Sequence, residues 1–303
     1  MRALTASLFL SVLTACQTGH GASAPVPAGA DAIPVAVSVA PQAYFVERIG
    51  GRHVRVAVMI PPGYSHVDYP LTPWKVIALQ QARLYIKVGH PGFEFESRFL
   101  DPYLAERRDL RVVDMSRGMD LIRDEAGEGG AAEEDGHLHG GGDPHVWVAP
   151  ESVRVAAGNI AAALVDLDPA HAGEYRANLR RFLADIDRLD REIRTRLAGR
   201  QGEAFMVYHP EWGYFAREYG LRQLAIESSG KEPSARRLIQ LIEQARRERV
   251  KVVFIQGGFP RKSAQVIADA VGARVVVADP QREDWLDNLR RVSAELGEAL
   301  PHA

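Results

Sequence analysis

Cysteine is nearly absent from this chain, and so is any excess of charge of one sign. Cys16 is the single cysteine among 303 residues, which excludes disulfides within the chain and a cysteine nucleophile in its folded body. The formal net charge of −2 provides no concentrated basic surface for nucleic acid. Beyond the N-terminus, no segment reaches the roughly 18 apolar residues of a membrane-spanning helix. What remains is a globular chain long enough for two domains.

The N-terminus is the one strongly apolar end of the chain. Residues 1–15, MRALTASLFLSVLTA, have one basic residue, an apolar stretch and then small residues, which predicts a secretory signal peptide. With Cys16 they resemble a bacterial lipobox, in which the signal is removed and the cysteine is lipidated. A signal peptide that merely contains a cysteine is the alternative. Residues 16–33 are rich in Gly, Ala, Ser and Pro, which predicts a flexible tether holding the protein to a membrane outside the cytoplasm, in the periplasm or on the cell surface.

Short β-branched runs alternate with helical patterns through the rest of the chain. Most runs are continuously apolar, as expected for strands of a parallel sheet that is covered on both faces. The helical patterns include 72–82, 234–248 and 261–272, the last ending at the stop signal Gly272. This alternation predicts an α/β fold. The predicted strands are 35–40, 54–60, 83–89, 111–115, 205–208, 221–226, 251–255 and 273–278.

The middle of the chain breaks this alternation. Residues 151–198 have an almost wholly helical pattern, interrupted at Asp168-Pro169. The piece from 170 onward keeps apolar residues at three- and four-residue spacing and would span about 43 Å at 1.5 Å per residue. Such a helix suits a link between two parallel-sheet α/β lobes with a ligand site between them. The predicted division is 1–15 signal, 16–33 tether, 34–165 N-terminal lobe, 166–198 linker helix and 199–303 C-terminal lobe.

Polar side chains near strand ends are the candidates for chemistry. His66 and His145 lie in loops of the N-terminal lobe, and His209 and Asp279 directly follow predicted strands of the C-terminal lobe. Three histidines and one carboxylate could complete a tetrahedral zinc shell. For any one of these histidines taken alone, an ordinary hydrogen-bonded role is the more common one. The pattern by itself leaves both interpretations open.

Several motifs make a family resemblance specific. The motifs are FVERIGG (45–51), PPG (61–63), DPHVW (143–147), HPEWGYFAREYGL (209–221), KEPSAR (231–236) and FIQGGFPRKSAQVIADAVG (254–272). With these motifs, the whole chain from the lipobox onward resembles the solute-binding lipoproteins of zinc and manganese ABC importers, the TroA-like family. DPHVW and HPEWGYFAREYGL are the most discriminating motifs, because each contains a ligand position of that family. The resemblance implies two α/β lobes bridged by one long helix, a metal ion bound between them, and an ABC permease with its ATPase as partners.

The resemblance carries three ligand positions onto this chain without gaps. His145 and His209 fall on the second and third ligands of the family, and Asp279 falls on the final carboxylate. Histidine at the third position resembles the zinc members, whereas manganese members tend to have glutamate there. An imidazole-rich shell also suits zinc chemistry better than manganese chemistry. The implied ligand is therefore Zn²⁺.

The first ligand departs from the family pattern. With the PPG turn aligned, the histidine column of the family coincides with Val67, and His66 lies one residue earlier. A local shift of the loop could bring His66 into the site. Asp68 or His90, the latter in the stretch VGHPGFEFE, could substitute for it. We expect His66 to be the ligand, with His90 as the next candidate.

Two further features concern the surroundings of the site. Gln256 stands at a strand end where many relatives carry glutamate, and a neutral amide is a poor zinc ligand, so it is expected to line the site. His137 and His139, beside the acids at 133–135, resemble the histidine- and acid-rich loop that many zinc members insert. Such a loop could hold additional zinc loosely. A solvated loop with incidental histidines is the alternative.

The resulting prediction is an extracytoplasmic, monomeric protein that captures Zn²⁺ and delivers it to an ABC importer, without enzymatic activity. A periplasmic zinc chaperone or a Mn²⁺-binding homologue would have nearly the same sequence. A zinc hydrolase would need an open coordination position and a nearby base, which a closed shell of four protein ligands does not provide. The chain also lacks GxSxG and HExxH motifs. No sequence feature specifically supports an adhesin.

Overall fold

Two four-stranded sheets, each wholly parallel, form the framework of the protein. The computed structural model describes residues 31–64, 66–67, 69–123, 142–227 and 231–301. The strands are β1 Ile33–Val39, β2 Val54–Ile60, β3 Leu84–Lys87, β4 Arg111–Asp114, β5 Ala204–Val207, β6 Arg222–Ala225, β7 Val252–Ile255 and β8 Arg274–Val277. All eight strands that the sequence predicts are therefore present, and the fold class is confirmed.

Both sheets have the same topology, with strand orders β2-β1-β3-β4 and β6-β5-β7-β8. In each sheet the chain first adds a strand on one side and then crosses to the other. This reversal creates a crevice at the carboxyl ends of the two central strands, where open α/β sheets bind ligands. In the second sheet that crevice lies between β5 and β7, whose paired residues are Val207 and Phe254. His209 follows β5, and Gln256 follows β7, at this edge.

The helices begin and end at recognisable sequence signals. Pro73 and Pro150 occupy first positions, where proline's fixed φ suits a helix start, and the Ser234 hydroxyl accepts a hydrogen bond from the Arg237 amide. Gly220 and Gly272 adopt left-handed conformations that end two helices. The helices are α1 Ala40–Gly50, α2 Pro73–Gln81, α3 Asp101–Glu106, α4 Pro150–Leu167, α5 Ala172–Arg196, α6 Gly213–Tyr219, α7 Ala235–Arg247, α8 Lys262–Val271 and α9 Trp285–Ala299.

Among the described residues, no helix combines the length and apolarity needed to cross a membrane.

Helix α5 is the long helix that the sequence predicts. It has 25 residues and so extends about 37 Å, and a short 3-10 turn at Pro169–His171 separates it from α4. It packs against α1 and α4 of the N-terminal lobe and against α9 of the C-terminal lobe. Its contact face is the apolar stripe visible in the sequence, in which the buried residues are Tyr175, Phe182, Ile186, Leu189 and Ile193.

The two lobes share a hydrophobic core. Strand β5 alternates between two clusters: Phe205 and Val207 join the large cluster that runs through both lobes, whereas Met206 packs with β7, α7 and α8. Trp285 of α9 contacts Phe45 of α1 at 5.3 Å between ring centroids. Separating the lobes would expose this apolar surface to water, which opposes a wide hinge motion.

Two tryptophans add directional contacts between the lobes. The indole nitrogen of Trp285 donates a hydrogen bond to the carbonyl oxygen of Trp147 at 2.6 Å. The indole nitrogen of Trp147 in turn donates to the carbonyl oxygen of Pro280 at 3.0 Å. Both tryptophans are fully buried, so water cannot replace either bond. The pair fixes the segment after β8 against the segment that carries His145.

We expect Trp285→Phe to lower the free energy of unfolding by about 1–3 kcal/mol, because it leaves the buried Trp147 carbonyl without its donor. Urea denaturation measures the change. The matched control is Trp74→Phe, since Trp74 is 79% exposed on α2 and should change stability by about 0.5 kcal/mol or less. Equal stability of the two variants would contradict this role for Trp285.

Candidate metal centre

Three buried histidines from distant parts of the chain meet between the lobes. His66 lies in the loop after β2, His145 precedes the short 3-10 turn Val146–Val148, and His209 follows β5. One ring nitrogen from each lies within 4.8 Å of the others. The Nε2 atoms of His66 and His145 are 3.2 Å apart. Two nitrogens that bind one tetrahedral Zn²⁺ are separated by about 3.3 Å, so this pair has the spacing of two zinc ligands.

Carboxylates fix the orientation of two of these rings. The Nδ1 atom of His145 lies 2.7 Å from an Asp143 oxygen, and the Nδ1 atom of His209 bonds to Glu227. Because a carboxylate accepts, each Nδ1 carries the proton, and each Nε2 presents its lone pair to the centre of the group. A carboxylate that accepts the Nδ1 proton of a metal-binding histidine fixes the tautomer of the ring and increases the basicity of the ligand nitrogen.

Glu211 also reaches this centre, and the sequence-based candidates do not include it. Its Oε1 atom is 3.5 Å from Nε2 of His145 and 3.7 Å from Nε2 of His209. Its Oε2 atom accepts a hydrogen bond from the Gln256 amide at 2.7 Å. Burial raises the pKa of Glu211 to about 7, while His209 and Gln256 act in the opposite direction. The sequence signal that could have identified Glu211 is its position two residues after the predicted ligand His209, in the stretch HPEWG.

Of the candidates for the first ligand, His66 is the one placed in the three-histidine group. His90 is also buried, but both of its ring nitrogens face the backbone. Nδ1 accepts a hydrogen bond from the Gly92 amide at 3.0 Å, and Nε2 donates to the Ile122 carbonyl at 3.3 Å. Asp68, the loop histidines His137 and His139, and the lipidation candidate Cys16 lie outside the described residues.

Asp279 follows β8 in the C-terminal lobe. One carboxylate oxygen accepts a hydrogen bond from the Gln281 amide at 2.8 Å. Burial raises the pKa of Asp279, and its negative charge raises that of Glu211. In the part of the chain that the structure describes, no hydrogen bond or ion pair connects it to His66, His145 or His209. Asp279 is therefore close enough to Glu211 for its charge to act on that carboxyl group.

Aromatic rings and two close loops surround the centre. Phe93 stacks on His66 with 4.6 Å between centroids, and Phe259 stacks on His209 at 5.7 Å. Gly63 and Gly258, both with positive φ, bring loops of the two lobes together, since a β-carbon on Gly258 would lie 2.8 Å from the Gly63 carbonyl oxygen. Apolar walls of this kind exclude water and strengthen the electrostatic attraction between the ligands and a cation.

A second group of possible ligands lies on the outside of the N-terminal lobe. It consists of His53, His171 and Glu174. The two imidazole rings stack at 3.8 Å with an interplanar angle of 25°. A metal ion lies in the plane of each imidazole that binds it, and two nearly parallel planes do not meet at bonding distance. Here the rings stack on each other, whereas His145 and His209 meet edge to face at 89°.

Two parallel-sheet lobes with histidines converging between them define a metal-binding solute-binding protein. A model of the family described as zinc-uptake complex component A, periplasmic (ZnuA), matches residues 35–299. The chain is 29% identical over 262 residues to the high-affinity zinc uptake system protein ZnuA of Yersinia pestis, covering 81% of this chain and 82% of that protein. It is 28% identical over 257 residues to the protein of that name in Bacillus subtilis, covering 82% and 78%. A crystal structure of ZnuA matches with a TM-score of 0.79 and 36% identity, covering 89% of this chain and 99% of the other.

The chain belongs to the ZnuA family of periplasmic zinc-uptake components. The predicted family, its zinc type and its extracytoplasmic class are thereby confirmed. Members of this family are solute-binding components of transport systems rather than enzymes, so the hydrolase alternative is not supported. Zinc is the bound ligand of the family, and the imidazole-rich centre suits it chemically.

We expect Gly213→Ala to weaken zinc binding by about 10- to 100-fold, the usual range for disturbing a residue that orients a ligand. A β-carbon at Gly213 would lie 2.2 Å from Oδ2 of Asp143, the residue that holds His145. Competition with a chromophoric chelator measures the affinity. Gly158→Ala is the matched control, because nothing lies within 4 Å of a β-carbon at that helical position. Equal affinities of the two variants would contradict the orienting role of Asp143.

Proposed function

We propose that His66, His145 and His209, together with one carboxylate, capture a single Zn²⁺ ion for delivery to an ABC permease and its ATPase. The observation that carries this proposal is the approach of His66 and His145 to 3.2 Å between Nε2 atoms, with His209 in the same buried group. The candidates for the carboxylate are Asp279, which the family resemblance gives, and Glu211, which lies 3.5 Å from His145. Capture requires no bond chemistry: the side chains replace the water shell of the ion.

The surroundings support binding by preorganisation rather than by closure of wide-open lobes. Asp143 and Glu227 hold two rings in place, and the shared hydrophobic core opposes separation of the lobes. His66 differs, because it belongs to the loop after β2 that lies outside regular secondary structure. We infer that zinc is released when the permease moves this loop, which withdraws one ligand and leaves the remaining shell incomplete.

The proposed position of the protein in the cell rests on the N-terminal sequence. Residues 1–15 would be removed as a signal peptide, Cys16 would carry the lipid, and 16–33 would form the tether. The lobes, with proposed limits 34–165 and 199–303 around a linker at 166–198, would then work as a monomer above the membrane. A zinc chaperone would have a similar ligand set, and co-purification with a permease distinguishes the two.

Removal of a proposed ligand should abolish tight zinc binding. We expect His66→Ala and His209→Ala to raise the Kd by at least about 100-fold, above the range for residues that only orient ligands. His53→Ala is the matched control, because its stacked ring should leave the one-to-one stoichiometry unchanged. Calorimetric titration of residues 17–303 measures both quantities.

His90→Ala in the same series tests the identity of the first ligand. Loss of binding in this variant, with His66→Ala unaffected, would show that the first ligand is His90 while the function stands. If none of the histidine variants changes binding, or if Mn²⁺ is preferred over Zn²⁺, the proposed function is wrong.

Zinc affinity should fall as the pH falls, because a protonated imidazole cannot bind the ion. Burial acts to lower the pKa of His209, but its bond to Glu227 and the charge of Glu211 outweigh this and raise it above the usual 6.5. Protons should therefore compete above the pH at which an ordinary imidazole titrates, and the Kd should rise at least about tenfold between pH 7.5 and 5.5. Chelator competition across this range measures it. A constant Kd in protein that remains folded would contradict a histidine shell.

A further inference from the structure

Glu211 lies beside two of the three histidines of the proposed zinc site. We propose that Glu211, through its Oε1 atom, binds the captured Zn²⁺ directly beside His66, His145 and His209. This inference rests on the proposed function and adds the identity of the carboxylate. Neither the ligand positions implied by the family nor the spacing of the predicted candidates points to this residue.

The distances from Glu211 to two of the three histidines are close to those of a tetrahedron. Oε1 of Glu211 is 3.5 Å from Nε2 of His145 and 3.7 Å from Nε2 of His209, so one oxygen faces two ligand nitrogens at once. Ligand atoms on one tetrahedral Zn²⁺ are about 3.3 Å apart, and contraction of a few tenths of an ångström around the ion would bring this oxygen to bonding distance. The facing nitrogens are those that the Asp143 and Glu227 contacts leave free of a proton.

Among the described residues, Glu211 is buried without an ion pair to lysine or arginine. The residue is only 2% exposed. A carboxylate buried without a cation is costly. A divalent ion bound to the same oxygen would compensate that cost. An ordinary buried acid pairs with arginine, whereas Glu211 would need the metal ion to compensate its charge.

Gln256 holds the second oxygen of Glu211 in place. Its amide donates to Oε2 at 2.7 Å, which leaves Oε1 directed at the histidines. An ionised glutamate at position 256 could not donate this bond, and it would place a second negative charge beside the first. The neutral amide of Gln256, at a position where many relatives carry glutamate, is therefore compatible with a carboxylate ligand supplied by Glu211. In this arrangement Gln256 is a positioning residue for the ligand.

Asp279 is less well placed than Glu211 for the same role. Its carboxylate accepts a hydrogen bond from the Gln281 amide, and it contacts none of the three histidines within the described ranges. It is also partly exposed, whereas Glu211 is buried. The geometry therefore favours Glu211. If Glu211 is the ligand, its substitution should weaken zinc binding, whereas if Asp279 is the ligand, substitution of Asp279 should do so.

The experiment compares Glu211→Gln, Glu211→Asp and Asp279→Asn by zinc titration and by the visible absorption of bound Co²⁺. Glu211→Gln keeps the shape of the side chain but removes the charged ligand oxygen, and we expect at least about a 100-fold rise in the zinc Kd and an altered Co²⁺ spectrum. Glu211→Asp withdraws the oxygen by one methylene group and should change the same two quantities. Circular dichroism confirms folding of each variant.

The matched control is Glu218→Gln. Burial raises the pKa of Glu218 to about 7, as for Glu211, but its partners are the Glu151 amide and Arg194 rather than the histidines. We expect its zinc Kd and Co²⁺ spectrum to equal those of the unaltered protein. If Glu211→Gln also keeps both, or if only Asp279→Asn changes them, the assignment of Glu211 is wrong while the proposed function stands. If the unaltered protein binds no zinc, the proposed function fails and this assignment with it.

Discussion

The buried convergence of three imidazole nitrogens places the strictest demand on the rest of this structure. Nitrogen lone pairs that face one point must be kept free of protons and prevented from rotating away. Asp143 and Glu227 meet this demand for His145 and His209, and the stacked ring of Phe93 restrains His66. Each contact comes from a different element of the fold. The site therefore exists only when both lobes are in place.

The shared hydrophobic core explains how that placement is maintained. The large cluster runs without interruption from the first sheet, across α5, to one face of the second sheet. Trp285 joins α9 to the segment of Trp147, only two residues from His145. Packing energy and ligand geometry are thus coupled through the same residues. A protein built in this way can change its site by moving one loop, with little movement of its lobes.

Much of the architecture could be predicted because hydrophobic periodicity is a local property of the chain. Continuous apolar runs identified all eight strands, and the stripe from Tyr175 to Ile193 identified the long helix. Helices α1, α3, α6 and α9 are not among the helical patterns named from the sequence. Family motifs identified His145 and His209, because each histidine is embedded in a discriminating stretch. The shifted His66 was less clear, since alignment of a loop does not determine where its side chains point.

The sequence by itself determined the α/β class, the two-lobed plan, the family and its zinc type, because strand patterns and motifs are written in consecutive residues. Only the tertiary structure decided which polar side chains share one volume. It brought His66 to His145 and turned His90 toward the backbone. It also placed Glu211, unremarkable in the sequence, beside Nε2 of His145 and Nε2 of His209, whereas Asp279 accepts a bond from the Gln281 amide. Distances between side chains from different strands depend on sheet order and loop path, which no local pattern contains.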